Sequence, residues 1–178
     1  MVRGLARARG ADDLVAVQID AHADLRDEYE GSPYSHACVA RRILEVCPLF
    51  QIGIRNISKA EERFRRQSSR VTTVFAEEAI EGTEFLGPLA EFVRGKTVYL
   101  TIDLDGLDPS IMPAVGTPEP GGLSWARTLE VVRVVCREAA RLPALDIVEL
   151  APIPGLLGPD FLAARLAYKI MALSARKK

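Results

Sequence analysis

Short apolar runs recur along the chain, and residues typical of turns flank each of them. The runs cover residues 14–19, 50–54, 71–75, 98–102 and 145–148. Continuous apolar runs of this length are typical of strands buried on both faces of a parallel sheet. The pattern therefore predicts five such strands.

Longer segments with a helical spacing of apolar residues separate these runs. They cover residues 35–46, 58–67, 85–93, 124–140 and 160–173, and residues 2–9 read as part of a helix before the first strand. Ser124 and Asp160 are predicted to cap the free amides of the helices that begin beside them. One face of the last helix, formed by Leu162, Leu166, Ile170 and Leu173, is predicted to pack on an apolar surface.

The alternation of strands and helices predicts an α/β fold. Right-handed crossovers would give a mostly parallel sheet with helices on both faces, which is a three-layer α/β/α arrangement. Residues 105–123 form a Pro- and Gly-rich loop that is too long for a routine connection, and such loops often carry function. No repeat or linker divides the chain, so residues 1–178 are interpreted as one domain.

Composition excludes several classes of partner. The 23 basic and 24 acidic residues give a net charge of −1, which offers no surface for nucleic acid or an anionic membrane. The first apolar run is too short for a signal peptide or a membrane span. Cys38, Cys47 and Cys136 form no C-x-x-C pair and are predicted to be small buried residues of a reducing compartment, the cytoplasm.

Carboxylates follow three of the five predicted strands. They are Asp20 and Asp24 with His22 between them, then Asp103 and Asp105, and finally Glu149. The carboxyl ends of parallel strands meet at one edge of a sheet, where ligands bind. Clustered aspartates with one imidazole favour a hard divalent cation such as Mn²⁺. A pair of ions about 3.5–4 Å apart suits this number of ligands and would generate a strong nucleophile from water.

Each of these motifs also has a structural interpretation. The aspartates around His22 can be turn formers, and Asp105 before Gly106 is a common turn pair. His36 either hydrogen-bonds at a helix entrance or moves protons. A dinuclear phosphoesterase is less consistent with the sequence, because Glu149 would repel phosphate and no Gly-rich phosphate loop precedes a helix.

Five segments together resemble the successive signatures of the arginase/agmatinase ureohydrolase family. They are residues 20–26 (DAHADLR), 34–37 (YSHA), 101–109 (TIDLDGLDP), 116–123 (GTPEPGGL) and 146–149 (DIVE). Linked motifs in the family's order are more specific than any one of them. Residues 24–31 look more like agmatinase than arginase. The resemblance implies an arginase-like fold and hydrolysis of agmatine to putrescine and urea, with guanidinobutyrate or formimidoylglutamate as alternative substrates.

The resemblance also implies a binuclear manganese site and the role of each residue. One ion would be surrounded by Asp20, His22, Asp103 and Asp105, and the other would be held by Asp20, Asp24 and Asp103. Glu149 would pair with the guanidinium group of the substrate. Asp105 would stabilise the tetrahedral intermediate, and His36 would contact the substrate and carry a proton to the departing amine.

One expected ligand is missing from the sequence. The family carries a Gly-Gly-Asp-His segment one helix upstream of the first motif, whereas no histidine precedes His22 here. The chain is therefore expected to be N-terminally truncated and to lack the first strands of the fold. The ion held by Asp20, Asp24 and Asp103 would have no imidazole ligand and is expected to bind more weakly. An inactive fragment that folds by association is the alternative to an enzyme. For the full-length protein the resemblance implies a homo-oligomer, either a trimer or a hexamer.

Overall fold

The computed structural model describes residues 1–10 and 12–175. Its sheet consists of β1 (Leu14–Ile19), β2 (Leu49–Ile54), β3 (Val71–Phe75), β4 (Thr97–Asp103) and β5 (Arg141–Val148). The strands lie in the order β3-β2-β1-β4-β5, and every neighbouring pair is parallel. All five predicted strands are therefore present, although β5 begins at Arg141 rather than at residue 145.

Seven α-helices are described around this sheet. They are α1 (Val2–Arg9), α2 (Val39–Leu44), α3 (Lys59–Gln67), α4 (Ala76–Glu81), α5 (Leu86–Val93), α6 (Trp125–Glu138) and α7 (Leu157–Ser174). The segment predicted as one helix over residues 35–46 is divided into a 3-10 helix, His36–Cys38, and α2. The sequence analysis did not predict α4, which follows β3 directly.

Helices cover both faces of the sheet. Along β1, Val15, Val17 and Ile19 belong to the core on the side of α4, α5, α6 and α7. Leu14 and Ala16 belong to the core on the side of α1, α2 and α3. Successive side chains of a strand point to opposite faces of the sheet, so β1 is buried on both faces. The predicted three-layer α/β/α arrangement is thus confirmed, and the described sheet is entirely parallel.

One of the two predicted helix caps is correct. The Ser124 hydroxyl accepts a hydrogen bond from the Arg127 amide at the start of α6. The prediction for Asp160 was wrong, because α7 begins at Leu157 and Asp160 lies inside its first turn. Pro159 also lies in this first turn, where proline is tolerated because its missing N–H would have no partner.

The margin formed by β5 and α7 is less covered than the rest of the fold. The prediction of burial on both faces is correct for β1, β2 and β4. It was wrong for β3 and β5, which are only partly buried because they lie at the two edges of the sheet. The predicted inner face of α7 packs on the core through Leu166 and Ile170, with Leu162 and Leu173 beside them. Its other face exposes large apolar side chains, namely Leu157, Phe161, Tyr168 and Met171.

Two further predictions concern the cysteines and membrane-spanning segments. All three cysteines are buried and form no disulfide, as predicted. Within residues 1–10 and 12–175, no helix has both the length and the apolar character needed to cross a bilayer.

Candidate active site

A cleft of about 670 Å³ lies at the carboxyl edge of the sheet. All seven predicted site residues line it: Asp20, His22, Asp24, His36, Asp103, Asp105 and Glu149. The sheet order explains this, because β1 and β4 are neighbours with Ile19 opposite Ile102. Asp20, which follows β1, and Asp103, the last residue of β4, therefore lie side by side.

Asp20, His22 and Asp105 form the tightest group in the cleft. One ligand atom from each lies within 4.8 Å of the other two. His22 Nδ1 is 2.9 Å from Asp105 Oδ2 and 3.8 Å from Asp20 Oδ1. The His22 amide donates to Asp20 Oδ1 at 2.7 Å, and the Ala21 amide donates to Asp105 Oδ1 at 3.1 Å. Backbone donors thus aim both carboxylates toward the imidazole.

The buried carboxylates raise one another's pKa values. Burial, and then the negative charges of neighbouring carboxylates, raise the pKa of Asp20 and of Asp24 well above the ordinary value. The same causes raise the pKa of Asp103 to about 9. Burial also acts to raise the pKa of Asp105, but the hydrogen bond with His22 and the Ala21 amide outweigh it and lower that pKa. This cluster of carboxylates is therefore more stable when it binds protons or a cation than when all of its members are ionised and unpaired.

The donor set fits a hard divalent cation. The four predicted aspartates and His22 line one cleft. Oxygen donors with a single imidazole suit Mn²⁺ better than they suit a metal that prefers thiolates. The hydrogen bond to Asp105 raises the pKa of His22, so a cation would replace the proton that this pair shares. The other histidine of the chain, His36, lies on the wall of the cleft and outside the group of three.

His36 is exposed at the start of the 3-10 helix that precedes α2. Its ring makes an edge contact with Tyr29, with 5.5 Å between the ring centroids. Tyr29 in turn lies under the Arg26 guanidinium, which is 4.9 Å from its ring centroid. The Ser35 hydroxyl is 3.4 Å from His36 Nδ1. These contacts leave the imidazole accessible from the cleft while limiting its rotation.

Two of the site residues adopt a left-handed backbone conformation. Glu149, the residue after β5, has φ 65°, and Asp24 has φ 51°. This region disfavours residues other than glycine, and such strain is often retained at functional sites. In both cases it turns a side chain into the cleft at the point where a strand or a loop changes direction.

Arg55, which the sequence analysis missed, connects the loops around the site. Its guanidinium donates to six backbone carbonyls, those of Gly53, Asp105, Gly106, Leu107, Glu119 and Pro120. The shortest of these bonds reach Glu119, at 2.5 Å, and Asp105, at 2.7 Å. Arg55 therefore holds the turn that carries Asp105 against the Pro- and Gly-rich loop. The signal for Arg55 in the sequence was its position directly after β2, at the edge of the sheet where the site residues lie.

Glu119, on that loop, was also missed. Its Oε1 accepts a hydrogen bond from Asn56 Nδ2 at 2.5 Å and lies 3.8 Å from His22 Nε2. The carboxylate therefore faces the side of the imidazole that is turned away from Asp105. A carboxylate in this place helps to orient a histidine ligand.

Comparison with known proteins identifies relatives along nearly the whole chain. Residues 1–173 match the arginase family. An N(1)-aminopropylagmatine ureohydrolase from Synechocystis is 40% identical over 182 residues, covering 100% of this chain and 58% of the relative. An agmatinase from Bacillus subtilis is 34% identical over 147 residues, covering 79% of this chain and 48% of the relative. The chain thus spans about half the length of these relatives.

Solved structures show the same partial coverage. The agmatine ureohydrolase of Thermoplasma volcanium superposes with a TM-score of 0.78 at 30% identity, covering 98% of this chain and 59% of the other. The arginase of Bacillus caldovelox shares the fold, with a TM-score of 0.78 at 23% identity, covering 99% of this chain and 64% of the other.

Proposed function

Because this chain belongs to the arginase family, we propose that its cleft is the active site of a ureohydrolase that acts on the guanidino group of agmatine. The observation that carries the proposal is the convergence of seven residues from separate motifs in one cleft. A compound with a terminal guanidinium group fits a cleft lined by this many acidic side chains. The chain spans 58% of its relative from Synechocystis, so the proposal concerns the domain that this chain helps to form.

Two Mn²⁺ ions would be held at the strand ends. Asp20, His22, Asp103 and Asp105 would hold one ion, and Asp20, Asp24 and Asp103 the other. The second ion would have three carboxylates and no imidazole, so we expect it to bind more weakly. When bound, the pair supplies a strong nucleophile from water at neutral pH.

The remaining residues would bind the substrate and move a proton. Glu149 would accept hydrogen bonds from the planar guanidinium, whose N–H donors match a carboxylate. Asp105 would stabilise the tetrahedral intermediate formed when water adds to the guanidinium carbon. The C–N bond to the amine then breaks, and His36 would deliver the proton that the departing amine takes up. The products are urea and a primary amine, putrescine in the case of agmatine.

A second candidate substrate is N(1)-aminopropylagmatine. The relatives with this name are 40–41% identical to the chain, whereas the named agmatinases are 32–37% identical. Both compounds carry the same reacting group and differ in the length of the amine chain. The two candidates therefore share one mechanism and differ only in how the outer part of the cleft is used.

An assay of urea and formamide release with added Mn²⁺ tests the proposal. We expect urea from agmatine or N(1)-aminopropylagmatine at a rate well above that with guanidinobutyrate, and no formamide from formimidoylglutamate. Replacing Glu149 by Gln should leave Mn²⁺ binding intact and lower kcat/KM about 10- to 100-fold, the range for a lost hydrogen bond to a charged group. No urea from either compound at saturating Mn²⁺ would instead favour an inactive fragment.

We also propose that the protein acts as a homo-oligomer, a trimer or a hexamer, and sedimentation velocity distinguishes these from a monomer. Urea release measured on each separated species would tell which of them is active. Activity in the monomer alone would contradict this part of the proposal.

A further inference from the structure

A row of polar side chains crosses the sheet, and three of its members line the acidic cleft. Its members occupy one register position on all five strands and are Thr73, Gln51, Gln18, Thr101 and Asp146. Gln18 and Gln51 are 2% and 0% exposed. Buried amides are unfavourable unless their hydrogen bonds are made, so two of them in central strands require an explanation.

The hydrogen bonds in this row lead to Asp20. Thr73 Oγ1 donates to Gln51 Oε1 at 3.1 Å. Gln51 Nε2 donates to Gln18 Oε1 at 2.9 Å and to the Ala23 carbonyl at 2.7 Å. Gln18 Nε2 then donates to Asp20 Oδ2 at 2.6 Å. The threonine hydroxyl and both amides are thus oriented in one direction, with their donors toward the carboxylate.

The chemistry of the groups explains that direction. As a metal ligand Asp20 would be ionised and would only accept hydrogen bonds, which matches the NH₂ group that Gln18 presents to it and the oxygen that Gln18 presents to Gln51. Because the Gln51 NH₂ group faces the Gln18 oxygen, the Gln51 oxygen faces the Thr73 hydroxyl. Since the His22 amide already donates to Asp20 Oδ1, both oxygens of this carboxylate have a fixed donor.

We propose that Gln18, supported by Gln51, is a positioning residue that holds the Asp20 carboxylate in the orientation required for binding Mn²⁺. This inference rests on the metal-dependent function proposed above. Asp20 would ligate both ions, so its rotation would disturb both sites together. Outer hydrogen-bond partners of metal ligands commonly act in this way.

Replacement by methionine, which has a similar length and no donor, tests the proposal. Binding of MnCl₂ is measured by counting free Mn²⁺ with electron paramagnetic resonance, and the Tm of the metal-free protein is measured in parallel. We expect Gln18→Met to weaken Mn²⁺ binding about 10- to 100-fold, the usual range for such partners. Gln51→Met should have a smaller effect and Thr73→Val the smallest. Gln67→Met, at an exposed position at the end of α3, is the matched control.

The double variant Gln18→Met/Gln51→Met separates positioning from a role in stability alone. It also removes the Gln51 amide from the Ala23 carbonyl and the Thr73 hydroxyl, so its Tm should fall below that of Gln18→Met. Its affinity for Mn²⁺ should equal that of Gln18→Met, because Asp20 lacks the same donor in both variants. An affinity that falls further, in step with Tm, would overturn the proposal.

The outcome for the unaltered chain separates this inference from the function on which it rests. If the unaltered chain binds Mn²⁺ and Gln18→Met binds it equally well, the positioning role is wrong and the metal site stands. If the unaltered chain binds no Mn²⁺, the metal site and the positioning role are both wrong.

Discussion

Asp103 couples the ionisation of the site to the stability of the fold. Its pKa is raised from 3.8 to about 9 by burial and then by the charges of Asp20 and Asp105. An acid whose pKa is raised on folding contributes stability that is fully present below pH 3.8 and is lost as the pH rises through about 9. The metal-free protein should therefore become less stable over this range.

Replacing Asp103 by Asn should remove this contribution to the pH dependence and should abolish metal binding. Asn keeps the acceptor for the Asp105 amide and has no charge to bury. Without metal at pH 9, the variant should have the higher Tm, since about 1 kcal/mol corresponds to roughly 2–4 °C for a chain of this size. At pH 4 the two proteins should have similar Tm values, and Mn²⁺ should stabilise only the unaltered chain. Calorimetry with and without EDTA measures the Tm of each protein and its response to Mn²⁺. A variant that is less stable than the unaltered chain at pH 9 without metal would contradict the prediction.

His36 should affect turnover and not metal binding. It is exposed and lies outside the group of Asp20, His22 and Asp105. His36→Asn should therefore bind Mn²⁺ as tightly as the unaltered chain. Urea release should fall about 10²- to 10⁴-fold, the usual contribution of a general acid. Unchanged turnover would remove His36 from the mechanism, and weakened Mn²⁺ binding would place it among the ligands.

Sequence reasoning found the residues at the strand ends and missed those that support them. Asp20 and Asp103 could be predicted because each directly follows an apolar run, and parallel strands end at one edge. Gln18 and Gln51 could not, because their contact depends on the register between strands 33 residues apart in sequence. Arg55 was missed for a similar reason, since five of the six backbone carbonyls that it contacts are 50 to 65 residues away.

At the scale of elements, the 3-10 helix after β4, Leu104–Gly106, depends on a close approach of two strand ends. A Cβ atom on Gly106 would lie 2.8 Å from the Asp20 amide nitrogen and 3.0 Å from Ile19 Cγ2. Backbone cannot move aside as a flexible side chain can. The turn that carries Asp105 can therefore approach β1 only with glycine at this position.

Gly106→Ala should therefore destabilise the protein by about 1–3 kcal/mol, the usual range for overpacking, and should weaken Mn²⁺ binding. Gly87→Ala in α5 is the control, since a Cβ there would meet nothing within 4 Å. We expect it to be neutral or to stabilise by up to about 1 kcal/mol, because alanine favours helix. Urea denaturation measures both variants. Equal effects of the two substitutions would contradict the importance of this close approach.

Element boundaries were predicted less well than the elements themselves. The first residues of β5 were missed because Arg141 and Pro143 interrupt the apolar pattern, and both are tolerated because β5 lies at an edge of the sheet. The short helix α4 was missed because six residues are too few to establish a helical period. These failures arise from neighbours in the fold that local sequence does not reveal.

At the scale of the whole molecule, the margin of β5 and α7 exposes large apolar side chains to solvent. Leu157 and Phe161 are 76% and 71% exposed. Large exposed apolar side chains grouped on one face favour association between molecules. We expect the chain to self-associate at micromolar concentration, and Leu157→Glu/Phe161→Glu to shift it toward the monomer in sedimentation velocity. Association that is unchanged in this variant would show that another surface is responsible.

We infer that paired cations make the cluster of buried carboxylates tolerable. Crystals soaked in MnCl₂ and measured at the manganese absorption edge would locate these ions. We expect two anomalous peaks about 3.5–4 Å apart in the cleft, the stronger beside His22 and the weaker beside Asp24. The absence of any peak among these aspartates at millimolar Mn²⁺ would show that cations do not bind there.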